Sequence, residues 1–423
     1  MRVWLAVLSL VVPAAPAAAA LSTGTLRLAD VLAEAARVNP GLQAARSAWE
    51  AAAQVPAQAA ALPDPEVEEM HVVRDRSMPG DPMMDQFSVS QTLPFWGKRA
   101  LRGQAASLDA EMAEQAYRAK AWEVRSEAVK AYEEIFYLDR TVQILGEQES
   151  VLRRVARVAE QKYAVGREPQ ASVFRAQVEL ARLGTDLLTA REEAVSARAR
   201  LNALLDRPPL APLGTPQAGR VPAGRWDGEA LAQAALAGRP ELLALRALAG
   251  RRDAERRLAL RRYFPDFMVG YAQTGDASDS LPYDGRASQS LRLGVSLPVW
   301  LGKTRAAARE SRSARDAARL SLADLVNETR WRVADLSVRC ETAARLDALY
   351  GDTVLPQARA ALDAAQGAYE AGETGFQDLL DAQRQLLRSE LEQARHRADF
   401  RIARAELERV VAEPLPQPQG EAK

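Results

Sequence analysis

The chain has only two histidines, His71 and His396, and they stand far apart in its 423 residues. No metal-ligand spacing and no imidazole base beside a nucleophile can be built from them, and no glycine loop able to cradle a phosphate is present. The single cysteine, Cys340, has no internal disulfide partner. On its helical pattern it reads as a small packing residue rather than a reactive thiol. Met70, His71, Met78, Met83 and Met84 bring together soft ligands of the kind that suit copper or silver. That cluster does not recur elsewhere in the chain, and packing or exposed methionines explain it as well. The adjacent carboxylates Glu133 and Glu134 read as a solvated helix face, because acid–base chemistry needs a positioned pocket and nothing near them marks one. The residues therefore predict neither a catalytic site nor a bound cofactor or metal, and the chemistry must lie in how the elements assemble.

Arg2 precedes an apolar run from Val3 to Val12 and a small-residue stretch ending Ala18-Ala19-Ala20, the pattern of a cleaved secretory leader over residues 1–20. No cysteine follows it to carry a lipid. No later run has the ~20 apolar residues of a spanning helix, so any passage through a membrane would be as a β-barrel. Without Arg2 the charge is 55 basic against 56 acidic residues, which gives no electrostatic reason to expect nucleic acid as a partner.

Landmarks recur in the same order in the two halves. Asn39-Pro40 answers to Arg239-Pro240 and Pro63-Asp64 to Pro265-Asp266, while Leu93-Pro94-Phe95-Trp96-Gly97-Lys98 answers to Leu297-Pro298-Val299-Trp300-Leu301-Gly302-Lys303. Tyr163, Gly166 and Gln177 answer to Tyr369, Gly372 and Gln383, and the offset grows from 200 to 202, 204 and 206. The reading is two internal repeats, 21–206 and 228–413, joined by a Pro/Gly-rich connector at 207–227 and followed by a tail at 414–423.

Within each repeat the hydrophobic period predicts helix, strand, strand, helix, helix. Pro40 and Pro56 must break or bend the first entry helix. Strand pairs are predicted over about 65–93 and 266–297. Phe87, Val89, Gln91 and Leu93 face one way, and Leu291, Leu293, Val295 and Leu297 do the same in the second repeat. The strand at 66–74 alternates poorly, so its lumen-facing register stays open. Loops rich in Asp, Gly, Pro and Ser, at 75–85 and 274–287, separate the strands of each pair. Helical hairpins follow over about 98–205 and 303–411. Leu101, Leu108, Trp122, Val129 and Phe136 recur in sevens, as in a coiled coil. The first outgoing helix would be roughly 95 Å long at 1.5 Å per residue, and its dense charge requires that it stand in water. Pro356 predicts a local kink in its counterpart, and Gly166 and Gly372 mark the turns to the returning helices.

Strands of this kind fit a membrane barrel with a wet lumen. Four cannot close alone, and an open edge in lipid leaves each unpaired backbone group costing several kcal/mol. The strand pattern alone also fits a half-buried soluble sheet; if the strands are in the membrane, copies must share edges, and eight, twelve or sixteen strands satisfy the arithmetic equally. Phe95, Trp96 and Trp300 at the strand ends suit a membrane-interface belt in contact with outer-membrane lipid, with Lys98, Arg99 and Lys303 placed to snorkel to headgroups.

These residues resemble the outer-membrane efflux proteins, the TolC family, over nearly the whole mature length. The resemblance rests on the two entry helices, the Gln91–Arg99 junction, and the tip sequence Tyr369-Glu370-Ala371-Gly372 leading to Asp378-Leu379-Leu380-Asp381-Ala382-Gln383. It implies a fold that is mostly α with a membrane β-barrel: a homotrimer with a twelve-stranded barrel continuous with a long α-helical barrel, in the outer membrane and extending into the periplasm. It implies an exit duct of a tripartite efflux pump, passively passing small molecules or ions, with a periplasmic adaptor (membrane fusion) protein and an inner-membrane pump as partners. By the same resemblance Asp378 and Asp381 match the aspartates of the family's periplasmic constriction, while the first repeat has Ser172 and Arg175 there. The tip surface near Tyr163, Gly166, Arg167, Tyr369, Gly372 and Glu373 is expected to meet the adaptor. Two alternatives share parts of the pattern: a duct for protein or peptide secretion, and a soluble periplasmic coiled-coil adaptor. Which substrate is exported, and by which pump class, is not encoded in these residues.

Overall fold

The computed structural model describes residues 24–71, 84–217, 219, 221–222, 224, 226–276 and 288–415. The leader, most of both polar loops with Met78 and Met83, and the tail beyond 415 lie outside the described residues. In chain order the elements are β1 (Thr25–Leu26), α1 (Leu28–Val38), α2 (Pro40–Ala52), α3 (Val55–Ala60), β2 (Glu66–His71), β3 (Met84–Leu93), α4 (Lys98–Ala164), α5 (Gln170–Leu204) and β4 (Thr215–Pro216). There follow α6 (Gly228–Gly238), α7 (Pro240–Arg261), β5 (Asp266–Asp276), β6 (Ser288–Ser296), α8 (Leu301–Leu349), a π-helical turn (Tyr350–Val354), α9 (Leu355–Ala371) and α10 (Phe376–Val411). No described helix is long and apolar enough to cross a membrane.

The prolines act where their chemistry requires. Pro40 opens α2 after a break at Asn39, whose side chain accepts from the Leu42 N–H at 3.0 Å and donates to the Leu204 carbonyl. Pro56 sits in the first turn of α3, where a missing N–H leaves no bond unmade. Pro356 likewise begins α9, and the π-helical turn before it absorbs the mismatch.

The chain divides into two compact units. One comprises Ala45–Arg118 and Pro240–Asn327 and holds a four-stranded antiparallel sheet in the order β2-β3-β5-β6. Its register pairs Val67 with Val89, Val89 with Tyr271 and Tyr271 with Leu291. Because side chains alternate, Val67, Phe87, Val89, Leu93, Phe267, Val269, Tyr271, Leu291, Leu293 and Val295 share one mainly apolar face, with Glu69, Gln91, Gln273 and Gln289 also on it. Glu66, Glu68, Ser88, Ser90, Thr92, Ser290 and Arg292 share the other. The pairing also resolves the weak pattern of 66–74: Glu66, Glu68 and Met70 lie on the polar face. The apolar face is bare, with Leu291 70% and Leu293 75% exposed, and a patch of that size marks a surface built for another partner or for lipid.

The other unit takes the described residues up to Ala44, Ala119–Arg239 and Glu328 onward. The part of α4 within it buries Val124, Ala131, Leu138, Leu145, Leu152 and Ala159, again seven apart, with Ala128 and Ile135 between them. Of the stripe read in the sequence Val129 is buried, whereas Leu101, Leu108, Trp122 and Phe136 are only half-buried. A heptad can be drawn in more than one phase, and the buried phase is the one through Val124 and Leu138. Leu145, Leu152 and Ala159 join Ala176, Leu183 and Leu187 of α5, Tyr369 of α9, and Phe376 and Leu379 of α10 in one core.

The connector is anchored here rather than free. β4 pairs in parallel with β1, a Cβ on Gly214 would come within 2.5 Å of the Gly24 carbonyl oxygen, and the Tyr132 hydroxyl donates to Leu26 O and accepts from Gln217 N–H. Beside Tyr132, Glu133 and Arg401 form an ion pair at 2.9 Å with side chains 3% and 10% exposed, and Arg401 also lies over the Phe136 ring. Glu133 is thus not on the solvated helix face expected of it, because Arg401 of α10 pairs its charge in the interior. Burial pushes the Glu133 carboxyl up, with Arg401 opposing it. Removing one member leaves a buried charge unpaired, which costs about 3–5 kcal/mol. Arg401→Met should therefore unfold at markedly lower temperature in detergent, and adding Glu133→Gln should recover part of the loss. Equal stability of the single variant and the parent would contradict the role given to the pair.

Candidate functional site

Two regions carry the residues singled out by the sequence. At the first, α4 turns into α5 and α9 into α10 through the same closure. Arg167 N donates to Lys162 O and Gly166 N to Tyr163 O, just as Glu373 N donates to Ala368 O and Gly372 N to Tyr369 O. Gly166 and Gly372 have φ of +72° and +83°, the left-handed helix cap that any L side chain would strain. Tyr163, Arg167 and Glu373 are exposed. Tyr369 is not: at 2% exposure it lies inside the tip, edge-on to Phe376, with the Lys162 ammonium 4.0 Å over its ring and donating to its carbonyl. Burial, with the Glu168 carboxylate adding to it, pushes its phenol up to about 12. Tyr369 therefore shapes the tip from within and presents no ring to a partner.

Asp378 and Asp381 are exposed near the start of α10. Asp378 accepts from the Gly375 N–H at 3.3 Å, which satisfies a donor that no helix carbonyl reaches, and it has no ion pair among the described residues. Asp381 accepts from Gln377 and from Arg384 at 3.4 Å. Arg384 makes its stronger, two-pronged contact to Glu179 of α5, at 2.6 and 2.9 Å. Its guanidinium, donating to Glu179, holds that carboxyl below the usual range. At the places equivalent to the aspartates, Ser172 is buried and Arg175 donates to Gln377. Of the two aspartates, Asp378 is thus the uncompensated charge. Glu179 and Arg384 went unnoticed in the sequence because the bridge joins residues 205 positions apart.

The second region is the junction between sheet and helices. Phe95 stacks on Phe264 at 4.6 Å, Trp96 meets Phe267 edge-on at 5.9 Å, and Trp96 and Trp300 are 74% and 78% exposed. A groove of about 630 Å³ runs between Leu62, Leu93, Phe95, Trp96 and Phe267. Lys98 departs from its expected place. Only 5% exposed, it donates to Asp266 Oδ1 at 2.8 Å and to the Phe264 carbonyl at 2.9 Å, and the same Asp266 oxygen accepts from the Phe95 N–H at 2.7 Å. A lysine with two strong acceptors beside it folds inward rather than reaching for headgroups. Lys303, by contrast, is exposed. Nearby, Arg261 donates to the Trp96 carbonyl and Arg99 to the Ala60 carbonyl.

Among the described residues no group of three or more His, Cys, Asp or Glu side chains is placed to hold a metal. Cys340 is fully buried, and burial pushes its thiol up to about 12, which makes it inert as a nucleophile.

The model of the outer membrane efflux protein family matches residues 31–207 and again 231–413. The cobalt-zinc-cadmium resistance protein CzcC of Cupriavidus metallidurans is 26% identical over 384 residues, covering 90% of this chain and 88% of that protein. Among solved structures, the outer-membrane channel OprN superposes with a TM-score of 0.77 at 20% identity, covering 92% of this chain and 91% of that one. The outer membrane protein VceC of Vibrio cholerae gives 0.78 at 19% identity, covering 92% and 97%. A soluble periplasmic adaptor would have no use for the bare apolar sheet face and does not fit these matches. With its mostly helical fold and few strands, the chain belongs to the outer membrane efflux protein family, a channel protein of the outer membrane and not an enzyme.

Proposed function

We propose that this chain is the exit duct of a tripartite efflux system, through which small molecules or ions pass passively from periplasm to exterior. The observation that carries the reading is a four-stranded sheet with one apolar and one polar face and with both edges, β2 and β6, open. In lipid those edges must be paired. Three copies give a twelve-stranded barrel with the polar face inward, and their helical hairpins continue it as a tunnel. The repeats 21–206 and 228–413 each supply a strand pair and a hairpin. A periplasmic adaptor meets the tips through Tyr163, Arg167 and Glu373, which are held in place by the turns at Gly166 and Gly372 over buried Tyr369. An energised inner-membrane pump delivers the cargo. Trp96, Trp300 and Lys303 meet the lipid interface, with Phe95 and Lys98 bracing it from behind.

The curated relative is a cobalt-zinc-cadmium resistance protein, so divalent metal ions are the cargo class to test first. The tip chemistry is consistent with cations. Three copies would bring Asp378 and Asp381 around one axis as a constriction, and Arg384 leaves the Asp378 ring the more negative of the two. Rings of carboxylates favour cations in a pore. The Glu179–Arg384 bridge ties α5 to α10 and acts as a latch on that constriction.

Three outcomes test this reading. Asp378→Ala with Asp381→Ala should raise single-channel conductance in planar bilayers and weaken cation preference about two-fold, the occupancy change for roughly 0.5 kcal/mol between unit charges ~8 Å apart in water; unchanged traces would remove the assignment. Because Arg384 depresses the Glu179 pKa, the latch is fully formed above the ordinary value of 4.5 and is lost as pH falls through the lower, folded value. In the Asp378→Ala/Asp381→Ala background, where those two carboxylates no longer titrate, conductance should therefore rise further on acidification below that point, and with Arg384→Ala added it should be high at all pH; identical pH profiles of these two variants would contradict the latch. Charge reversal at Arg167 or Glu373 should abolish crosslinking to the adaptor with the assembly intact, and crosslinking at the parent level would show that the turns have only a geometric role.

A further inference from the structure

Within one copy, the two repeats meet where β3 of the first pairs with β5 of the second, in a register that sets Leu93 opposite Phe267. Just below, Lys98 of the first repeat locks onto Asp266 of the second. Each residue in that contact has a counterpart in the other repeat: Leu93 in Leu297, Lys98 in Lys303, Asp266 in Asp64 and Phe264 in Leu62. The lysine of the second junction lies one residue further along, after the added Leu301.

Among the described residues the counterparts from the two repeats do not meet one another within the chain, since the strands that carry or adjoin them, β2 and β6, are the opposite edges of the sheet. Asp64 and Lys303 are both exposed, and neither has an ion-pair partner among the described residues. Leu62, Val299 and Trp300 are exposed beside them. This is half of the lock on one edge and half on the other.

We infer that a second copy completes it, so that the contact between repeats inside one chain is the template for the contact between chains, with Lys303 of one copy paired to Asp64 of the next. The inference rests on the barrel assembly proposed above and deepens it by fixing its register. Carrying the repeat correspondence through the β3–β5 pairing sets Leu297 of one copy opposite Pro65 of the next, Ser296 opposite Glu66, Val295 opposite Val67 and Gly294 opposite Glu68.

Two features that played no part in deriving this register agree with it. On the apolar face Val295 meets Val67, both exposed in the single copy, so the band continues across the seam. On the polar face Arg292, exposed and without an ion-pair partner among the described residues, comes diagonal to Glu68, within reach of a long side chain. One edge carries the carboxylates Glu66 and Glu68, the other carries the arginine, and between them the face holds Ser88, Ser90, Gly270 and Ala272. A slip by one residue would turn the apolar set of β6 into the lumen.

The test is disulfide crosslinking of the full chain in detergent, in a Cys340→Ala background. Ser296→Cys with Glu66→Cys should form a ladder of covalent dimers and trimers under mild oxidation, because directly opposed strand residues meet the ~4.4–6.8 Å Cα separation a disulfide needs. Ser296→Cys with Glu68→Cys, displaced by two residues on the same face, should crosslink several-fold less. Asp64→Lys or Lys303→Asp, added singly to the Ser296/Glu66 pair, should lower the yield several-fold, and the two together should restore it. Comparable yields for both cysteine pairs, or no rescue by the double charge swap, would overturn the register or the ion pair respectively. The mass of the unoxidised particle separates the two levels: an intact oligomer that fails to crosslink rejects this seam alone, whereas a monomer rejects the assembly itself.

Discussion

An antiparallel sheet with a bare hydrophobic face and two unpaired edges is the constraint on which the rest of this molecule depends. Water tolerates the edges but not the face, and lipid tolerates the face but not the edges. The face runs from Val67 on β2 to Leu291 and Leu293 on β6, and no described element covers it. The closed sheet of several copies proposed above satisfies both demands. It accords with the membership of the outer membrane efflux protein family that the similarity shows.

The helical part answers a different demand. At 67 residues, α4 would be about 100 Å long, and a helix of that length with charge on most of its surface is stable in water only where neighbours cover one stripe. Alanines at Ala128, Ala131 and Ala159 let those neighbours approach. The tip shows how little chemistry a duct needs. Its two turns are glycine caps, Tyr369 and Phe376 lie in its core, and Asp378, Asp381 and the Glu179–Arg384 bridge are among its charged groups. In the proposed duct their part is to set width and charge, not to make or break bonds.

Much of this was legible in the residues. The alternation of helices with strand pairs, the helix start at Pro40, the first-turn prolines Pro56 and Pro356, and the left-handed glycines all follow from local backbone rules, which sequence states directly. What escaped depends on contacts between residues far apart in the chain. Lys98 looked like a snorkelling lysine because its acceptor, Asp266, is 168 positions away. Tyr369 looked like a surface aromatic because the core that buries it comes from four helices. The buried phase of the α4 heptad depends on which neighbours cover the helix, and the polar strand at Glu66 is phased only through its partner. The short pairing of β1 with β4 leaves almost no pattern in two residues.

The most direct measurement of the central claim is amide hydrogen exchange on the full-length protein in detergent, resolved to β2, β3, β5 and β6. Edges shared between copies predict that β2 and β6 are protected to the same degree as the inner strands β3 and β5. Rapid exchange along β2 and β6 while β3 and β5 stay protected would mean that the edges face solvent, and the account of a closed barrel built from several copies would be wrong.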